Sequence, residues 1–148
     1  MKASLRMLSI LLGLFALTAA QAQDRVYEDG GSVWSVSFIE TKPGHFDDYI
    51  ANLNQIWRRY LDQQVKDGHV LSYKMIPISF PRDGEPNLML MVEFKNWAAF
   101  DAGNNEYFDK LAEKLQGGVD QATQSNIDRE ELRNLRGGFV GQEISFKK

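Results

Sequence analysis

The stretch VWSVSFIETKPGHFDDYIANLNQIW, residues 33–57, changes its hydrophobic period midway, and the architecture follows from that change. Up to Ile39 the side chains alternate, with Trp34, Val36 and Phe38 on one side and Ser35, Ser37 and Ile39 on the other. A period of two is that of a strand, here with one apolar and one mixed face. From Phe46 the apolar residues fall at steps of three and four, through Tyr49, Ile50, Leu53, Ile56, Trp57, Tyr60, Leu61 and Val65. Asp48, Asn52, Gln55, Arg59, Asp62 and Lys66 take the opposite face. This spacing predicts an amphipathic helix over about 44–67. Gly68 stands where a left-handed closing residue is wanted.

Between strand and helix lies Lys42-Pro43-Gly44-His45. Gly44 permits a turn, and Asp47 and Asp48 put negative charge on the first helical turn, where the helix dipole favours it. The stretch therefore reads as helix punctuation. His45 also remains a candidate acid or base at a pocket edge, because an imidazole titrates near neutrality.

Working outward, HVLSYKMIPISF (69–80) reads as a strand with Pro77 near its end. Proline there removes a ladder donor and predicts an edge strand. PRDGEPN (81–87) is turn chemistry, and NLMLMVEF (87–94) is the next strand, with Leu88, Leu90, Val92 and Phe94 on one face. A hairpin centred on Asp83-Gly84 sets Lys74 opposite Glu93, Met75 opposite Val92 and Ile76 opposite Met91. The stretch 96–138 is helical but broken, with Trp97, Phe100, Tyr107, Phe108, Leu111 and Leu115 at helical spacing and interruptions at Gly103 and Gly117-Gly118. QATQSNID (121–128) reads as a loop. Asp128 and Glu131 form a capping-box pattern for a short helix carrying Leu132 and Leu135, stopped by Gly137-Gly138. FVGQEISF (139–146) closes the chain as a strand.

The order strand, helix, strand, strand, helices, strand predicts an α+β, ferredoxin-like βαββαβ sheet with its helices on one face. The uncovered face is expected to carry Ser35, Ser37, Ile39, Ser72, Lys74, Ile76, Met89, Met91, Glu93, Glu143 and Ser145. Apolar groups among these call for a cover, which a second copy of the chain supplies.

Residues 1–22 carry Lys2 and Arg6, an apolar run from Leu8 to Leu17, and Ala20-Gln21-Ala22. This is the pattern of a secretory signal peptide cleaved after Ala22, too short in its apolar core to span a bilayer. Residues 23–31 read as a flexible N-terminus, and 32–148 as a single domain with a helical insert at about 103–136. A periplasmic or secreted location follows, without membrane insertion after cleavage. Removing the signal leaves 15 basic against 20 acidic residues, a net charge of −5. That balance gives no electrostatic footprint for nucleic acid. The chain has no cysteine, which excludes disulfides, a thiol nucleophile and thiolate metal sites.

Three segments carry a resemblance: VWSVSFIETKPGHFDDYIANLNQIW, HVLSYKMIPIS and NLMLMVEFKNWAAFDA. Together they resemble the dimeric α/β-barrel superfamily, which includes the antibiotic-biosynthesis-monooxygenase-like proteins. In that group a strand leads through a Lys-Pro-Gly-like turn into a long helix, and a strand ending near Glu-Phe leads into a Trp-containing helix start. The resemblance covers most of residues 32–146 and implies a homodimer whose two sheets meet face to face, with pockets between sheet and helices. It implies no particular reaction, because the fold hosts oxygenases, haem enzymes, isomerases and plain binding proteins.

The histidine census constrains the chemistry further. His45 and His69 are the only two, one at each end of the predicted helix. A helix of that length spans ~36 Å, so they cannot share a metal within one subunit. No metal centre and no cofactor is expected. Relatives that bind haem use a histidine in the second helical region, where this chain has none. Trp34, Trp57, Tyr60, Tyr73 and Phe108 are aromatics that either fill the core or line a pocket for a small aromatic ligand. Lys74 and Glu93 read as a cross-strand ion pair or a polar contact for such a ligand. Arg129, Arg133 and Arg136 fall at helical spacing and read as a solvated face paired to Glu130 and its neighbours, or as an anion-binding stripe. Three functions fit these residues. The first is an exported homodimer binding a small, partly aromatic ligand. The second is a cofactor-independent monooxygenase-like enzyme acting on an aromatic or quinol-type substrate, with His45, Trp57 or Tyr73 holding it. The third is a structural or interaction module of the cell envelope.

Overall fold

The computed structural model describes residues 25–148, so the predicted signal segment lies outside the described residues. The elements are β1 (Tyr27–Thr41), α1 (Phe46–Gln55), α2 (Trp57–Lys66), β2 (Ser72–Pro77), β3 (Leu88–Phe94), α3 (Trp97–Asp101), α4 (Asn105–Gln116), α5 (Val119–Asp128), a 3-10 turn (Arg129–Glu131) and β4 (Arg133–Phe146). The four strands form one antiparallel sheet in the order β2-β3-β1-β4. This is the α+β, ferredoxin-like arrangement, and β2, which ends at Pro77, is an edge strand as its proline requires.

The 40–50 stretch does what its chemistry predicts. The His45 amide donates to the Lys42 carbonyl (2.9 Å), and Gly44 takes φ 82°, the left-handed region open to glycine. His45 then stands at the N-cap of α1 with Nδ1 3.0 Å from Asp48 Oδ2. The expected single helix is two, joined at Ile56, whose ψ of −71° bends the chain. The ladder continues through the joint: Ile56 N–H donates to Asn52 O, and Ile56 O accepts from Tyr60 N–H.

The inward face of the helices closes on Ile39, Leu88 and Leu90 of the sheet, with Tyr49 and Leu53 of α1 fully buried among them. Phe46, Ile50, Trp57 and Leu132 pack around this cluster. Burial of this kind contributes about 25 cal/mol per Å² of apolar surface.

Four expectations are corrected. First, β1 has the opposite sidedness. Ile39 pairs with Leu88 and Ser37 with Leu90, so Ser35, Ser37 and Ile39 face the helices, and Trp34, Val36 and Phe38 face away. The small serines leave room beneath the helices, while Phe38 stacks on Phe139 across the other face (ring centroids 6.2 Å apart). Second, the hairpin register is displaced by two residues: Ser72 lies opposite Glu93, Lys74 opposite Met91, Met75 opposite Leu90 and Ile76 opposite Met89. An even displacement keeps every side chain on its face. Third, residues 119–128 form a helix rather than a loop, because Gly117 at φ 83° closes α4 and the chain re-enters a helix at once. Fourth, the expected helix over 128–136 is a single 3-10 turn followed directly by β4, whose residues Arg133, Asn134 and Leu135 pair with Thr41, Glu40 and Ile39.

β1 also reaches back to Tyr27, into the stretch read as a flexible N-terminus, where Tyr27, Glu28 and Asp29 pair with Phe146, Ser145 and Ile144. Within the β1–β4 ladder Gly138 is required for a different reason than helix termination. A Cβ there would collide with the carbonyl oxygen of Val36.

Candidate functional site: an aromatic cleft above buried arginines

Three helices enclose a cavity of about 320 Å³. α2 contributes Trp57 and Tyr60, α4 contributes Phe108, Ala112 and Gln116, and α5 contributes Val119, Ala122, Thr123 and Asn126, with Arg129 following in the 3-10 turn. The volume lies at the lower end of small-molecule sites, which run from roughly 300 to 1,000 Å³.

Local sequence explains how the walls are held. α4 begins at Asn104, whose Oδ1 accepts from the Tyr107 amide (2.9 Å). It ends with the Gly117 and Gly118 amides donating to Glu113 O and Ala112 O (3.2 Å each). That double-glycine closure sets α5 against α4. Ala112 and Ala122 add little bulk to facing walls, which leaves space between them. Across the cleft Gln116 Nε2 donates to the Tyr60 hydroxyl (2.8 Å), tying α4 to α2.

Trp57 stands edge-on to Tyr73 of β2 (5.3 Å, 82°). The Tyr73 hydroxyl donates to Asp62 Oδ1 (2.6 Å), and burial together with Asp62 pushes its pKa up. Trp57 and Tyr73 also border a second, groove-like cavity of about 410 Å³ with Ile50, Leu53, Arg58 and Met75.

The cleft's basic end is unusual in its burial. Arg129 is 9% exposed, and its Nε donates to Asn52 Oδ1 of α1 (2.9 Å). Burial lowers its pKa, with Arg133 adding to this and Tyr49 and Glu130 opposing it, although a guanidinium stays charged throughout the physiological range. Arg133 is 7% exposed. Its Nη2 pairs with Glu130 Oε1 (3.0 Å), and its carbon Cζ lies 6.0 Å from the Tyr49 ring centre. Its Nε and Nη1 are buried without a partner among the described residues. Tyr49 stays neutral, since burial raises its pKa against the pull of the two arginines.

The residues singled out from sequence divide among separate places. Trp57, Tyr60 and Phe108 meet in the helical cleft. Trp34 and Lys74 lie together on the uncovered sheet face, the Lys74 ammonium 4.9 Å from the Trp34 ring centre, beside a trough of about 420 Å³ shared with Val36, Ile76, Met91 and Phe139. Trp34 Nε1 donates to Glu143 Oε1 (2.7 Å). The expected Lys74–Glu93 cross-strand pair is replaced by two serines, because the register brings Ser72 opposite Glu93. Ser72 Oγ and Ser32 Oγ donate to its carboxylate (2.5 and 2.7 Å) and lower its pKa, with Lys74 the smallest contributor. His45 remains with Asp48, and His69 packs on Tyr107 (4.4 Å). Arg136 pairs with Glu40 (2.5 Å) on β4, away from Arg129. Val119 and Ala122 are cleft residues that sequence reasoning passed over, and of the three arginines it singled out Arg129 alone lines the cleft. The signal was present in Val119 and Ala122 at i, i+3 directly after the double glycine.

Among the described residues, no group of three or more His, Asp or Glu side chains is placed to hold a metal ion, and no helix is long and apolar enough to cross a membrane.

No family model and no curated protein matches the chain. Solved structures do. One is a protein from Shewanella oneidensis, 15% identical, with 80% of this chain and 96% of that chain covered and a TM-score of 0.43. Another is a protein from Pseudomonas aeruginosa, at 14% identity, 81% and 99% coverage and a TM-score of 0.43. A third is described as a dimeric protein of unknown function and ferredoxin-like fold from Bacteroides fragilis, at 11% identity, 81% and 100% coverage and a TM-score of 0.40.

Proposed function

We propose that this chain is an exported, homodimeric binding protein for a small, partly aromatic ligand seated in the cleft between α2, α4 and α5. The observation that carries the reading is the cleft itself: a 320 Å³ cavity walled by Trp57, Tyr60 and Phe108 and floored by a buried arginine. Aromatic walls with a few convergent polar groups are the composition of small-molecule sites.

The dimer part of the reading rests on the other side of the sheet. Trp34, Val36 and Phe38 share the uncovered face with Ile76, Met89, Met91 and Phe139, and the last of these is 54% exposed. A second copy, laid sheet to sheet, covers this patch with an equally apolar surface. Export is inferred from residues 1–22.

The test is native mass spectrometry of the mature protein, purified gently from a cell-envelope fraction. The expected result is a dimer that begins at Gln23 and carries one additional small molecule per cleft. An empty dimer that takes up no aromatic compound removes the binding reading, and a monomer removes the sheet-to-sheet pairing. Recovery only from the cytoplasm, with residues 1–22 retained, removes export.

A further inference from the structure

We infer that the ligand of this cleft is an anion, an aromatic or alicyclic carboxylate whose head group seats on Arg129 with the charge of Arg133 supporting it from within the core. This rests on the cleft being a ligand site and adds the chemical class of what it takes.

The inference begins with a charge inventory. Arg129 lines one end of the cleft and Arg133, close enough to act on its charge, lies against Tyr49; both are more than nine-tenths buried. Among the described residues only one carboxylate, that of Glu130, pairs with either of them. The other neighbours, Asn52 and Tyr49, are neutral. One positive charge is thus left without a counter-charge in a place where water reaches poorly. A buried unpaired ion is costly, and folded chains keep such a group when something neutralises it.

Hydrogen bonding points the same way. Arg133 holds two buried donors without a partner among the described residues. Arg133 is not among the cleft's lining residues, so its part is its charge and not a bond to the ligand. Arg129 spends Nε on Asn52 and leaves its terminal nitrogens for the cleft it lines. A planar fork of donors matches the two oxygens of a carboxylate. Asp109, the one acid in the cleft lining, is exposed to solvent and so screened from the head-group end.

The aromatic walls fix the rest of the ligand. Trp57, Tyr60 and Phe108 favour a flat apolar body, and the cavity accommodates one or two fused rings.

The probes are 2-naphthoate and its neutral counterpart 2-naphthamide, titrated calorimetrically into the full-length mature protein. The acid is expected to bind at least about tenfold more tightly than the amide, the scale of hydrogen bonds to a charged group. Arg129→Gln is expected to abolish that preference, the two probes then binding equally, with an unchanged circular dichroism spectrum showing the variant to be folded. Arg133→Met, which exchanges a buried cation for an apolar chain, gives an independent arm: the acid-to-amide ratio falls several-fold with amide binding unchanged. Equal binding of acid and amide overturns the anion inference and leaves the cleft as a ligand site. Failure of both probes to bind overturns the cleft reading and the inference with it. A full acid preference in both variants assigns recognition elsewhere and overturns the roles given to the two arginines.

Discussion

Glu93 shows how a single carboxylate is tuned by neighbours that carry no charge. Its oxygens accept from Ser72 and Ser32, and those bonds hold its pKa below the ordinary value of 4.5. A carboxyl depressed in the folded state stabilises the protein above its unfolded pKa, and that stabilisation is lost as pH falls through the folded value. Melting temperature is therefore expected to drop as the pH goes from about 5 down through the lowered Glu93 value, and Glu93→Gln is expected to flatten that part of the profile. A thermal-melt series between pH 7 and 3 checks it. An unchanged acid limb in the variant would assign the loss to other carboxylates, such as Glu40, whose pKa Asn134 and Arg136 also lower.

At the scale of elements, the helical insert depends on its end chemistry more than on packing. α5 has no buried side chain, and α4 buries only Leu111 and Ala112. Its N-cap at Asn104 is consequently expected to matter: Asn104→Ala costs about 1 kcal/mol in urea unfolding and weakens ligand uptake, since α4 and α5 form two walls of the cleft. A loss of stability below about 0.3 kcal/mol would mean that the cap bond is replaced by water at no cost. The same weak burial explains what the sequence hid. The strands around Leu88–Phe94 and the amphipathic run 46–65 were legible because one face of each is plainly apolar. α5 was not, because QATQSNID is polar on nearly every side and the helix lines a cavity rather than filling the core. β1 was read with its faces exchanged, since Trp34, Val36 and Phe38 look like core residues in a lone subunit. Only the match of Ile39 to Leu88 across the ladder reveals which side the helices take. The spacing of Arg129 and Arg133 suits a solvated face and an anion-binding stripe alike, for a similar reason: charge says outside, and a buried arginine is visible only once its neighbours are in place.

For the whole molecule, the proposed pairing of two copies rests on the uncovered sheet face. Phe38 on β1 and Phe139 on the edge strand β4 pack against each other there, and Ile76 and Met91 share the same face. A stable pairing of two copies buries roughly 1,200–2,000 Å² in total, which a face of four strands can supply. Phe139→Glu puts a charge into that contact and is expected to yield a monomer by sedimentation at micromolar concentration, with the helical content unchanged. A dimer that persists in this variant places the interface elsewhere. The cleft lies on the helical side of the sheet, so the anion preference is expected to survive in the monomer.

The sheet asks only that the chain leave β3 at Phe94 and return to it at Arg133. The residues between these points build most of the cleft, yet no strand needs them to find its partner. Recognition and scaffold are therefore separately heritable. A change within the 105–128 segment alters the walls of the cleft while the strand pairing stays in place.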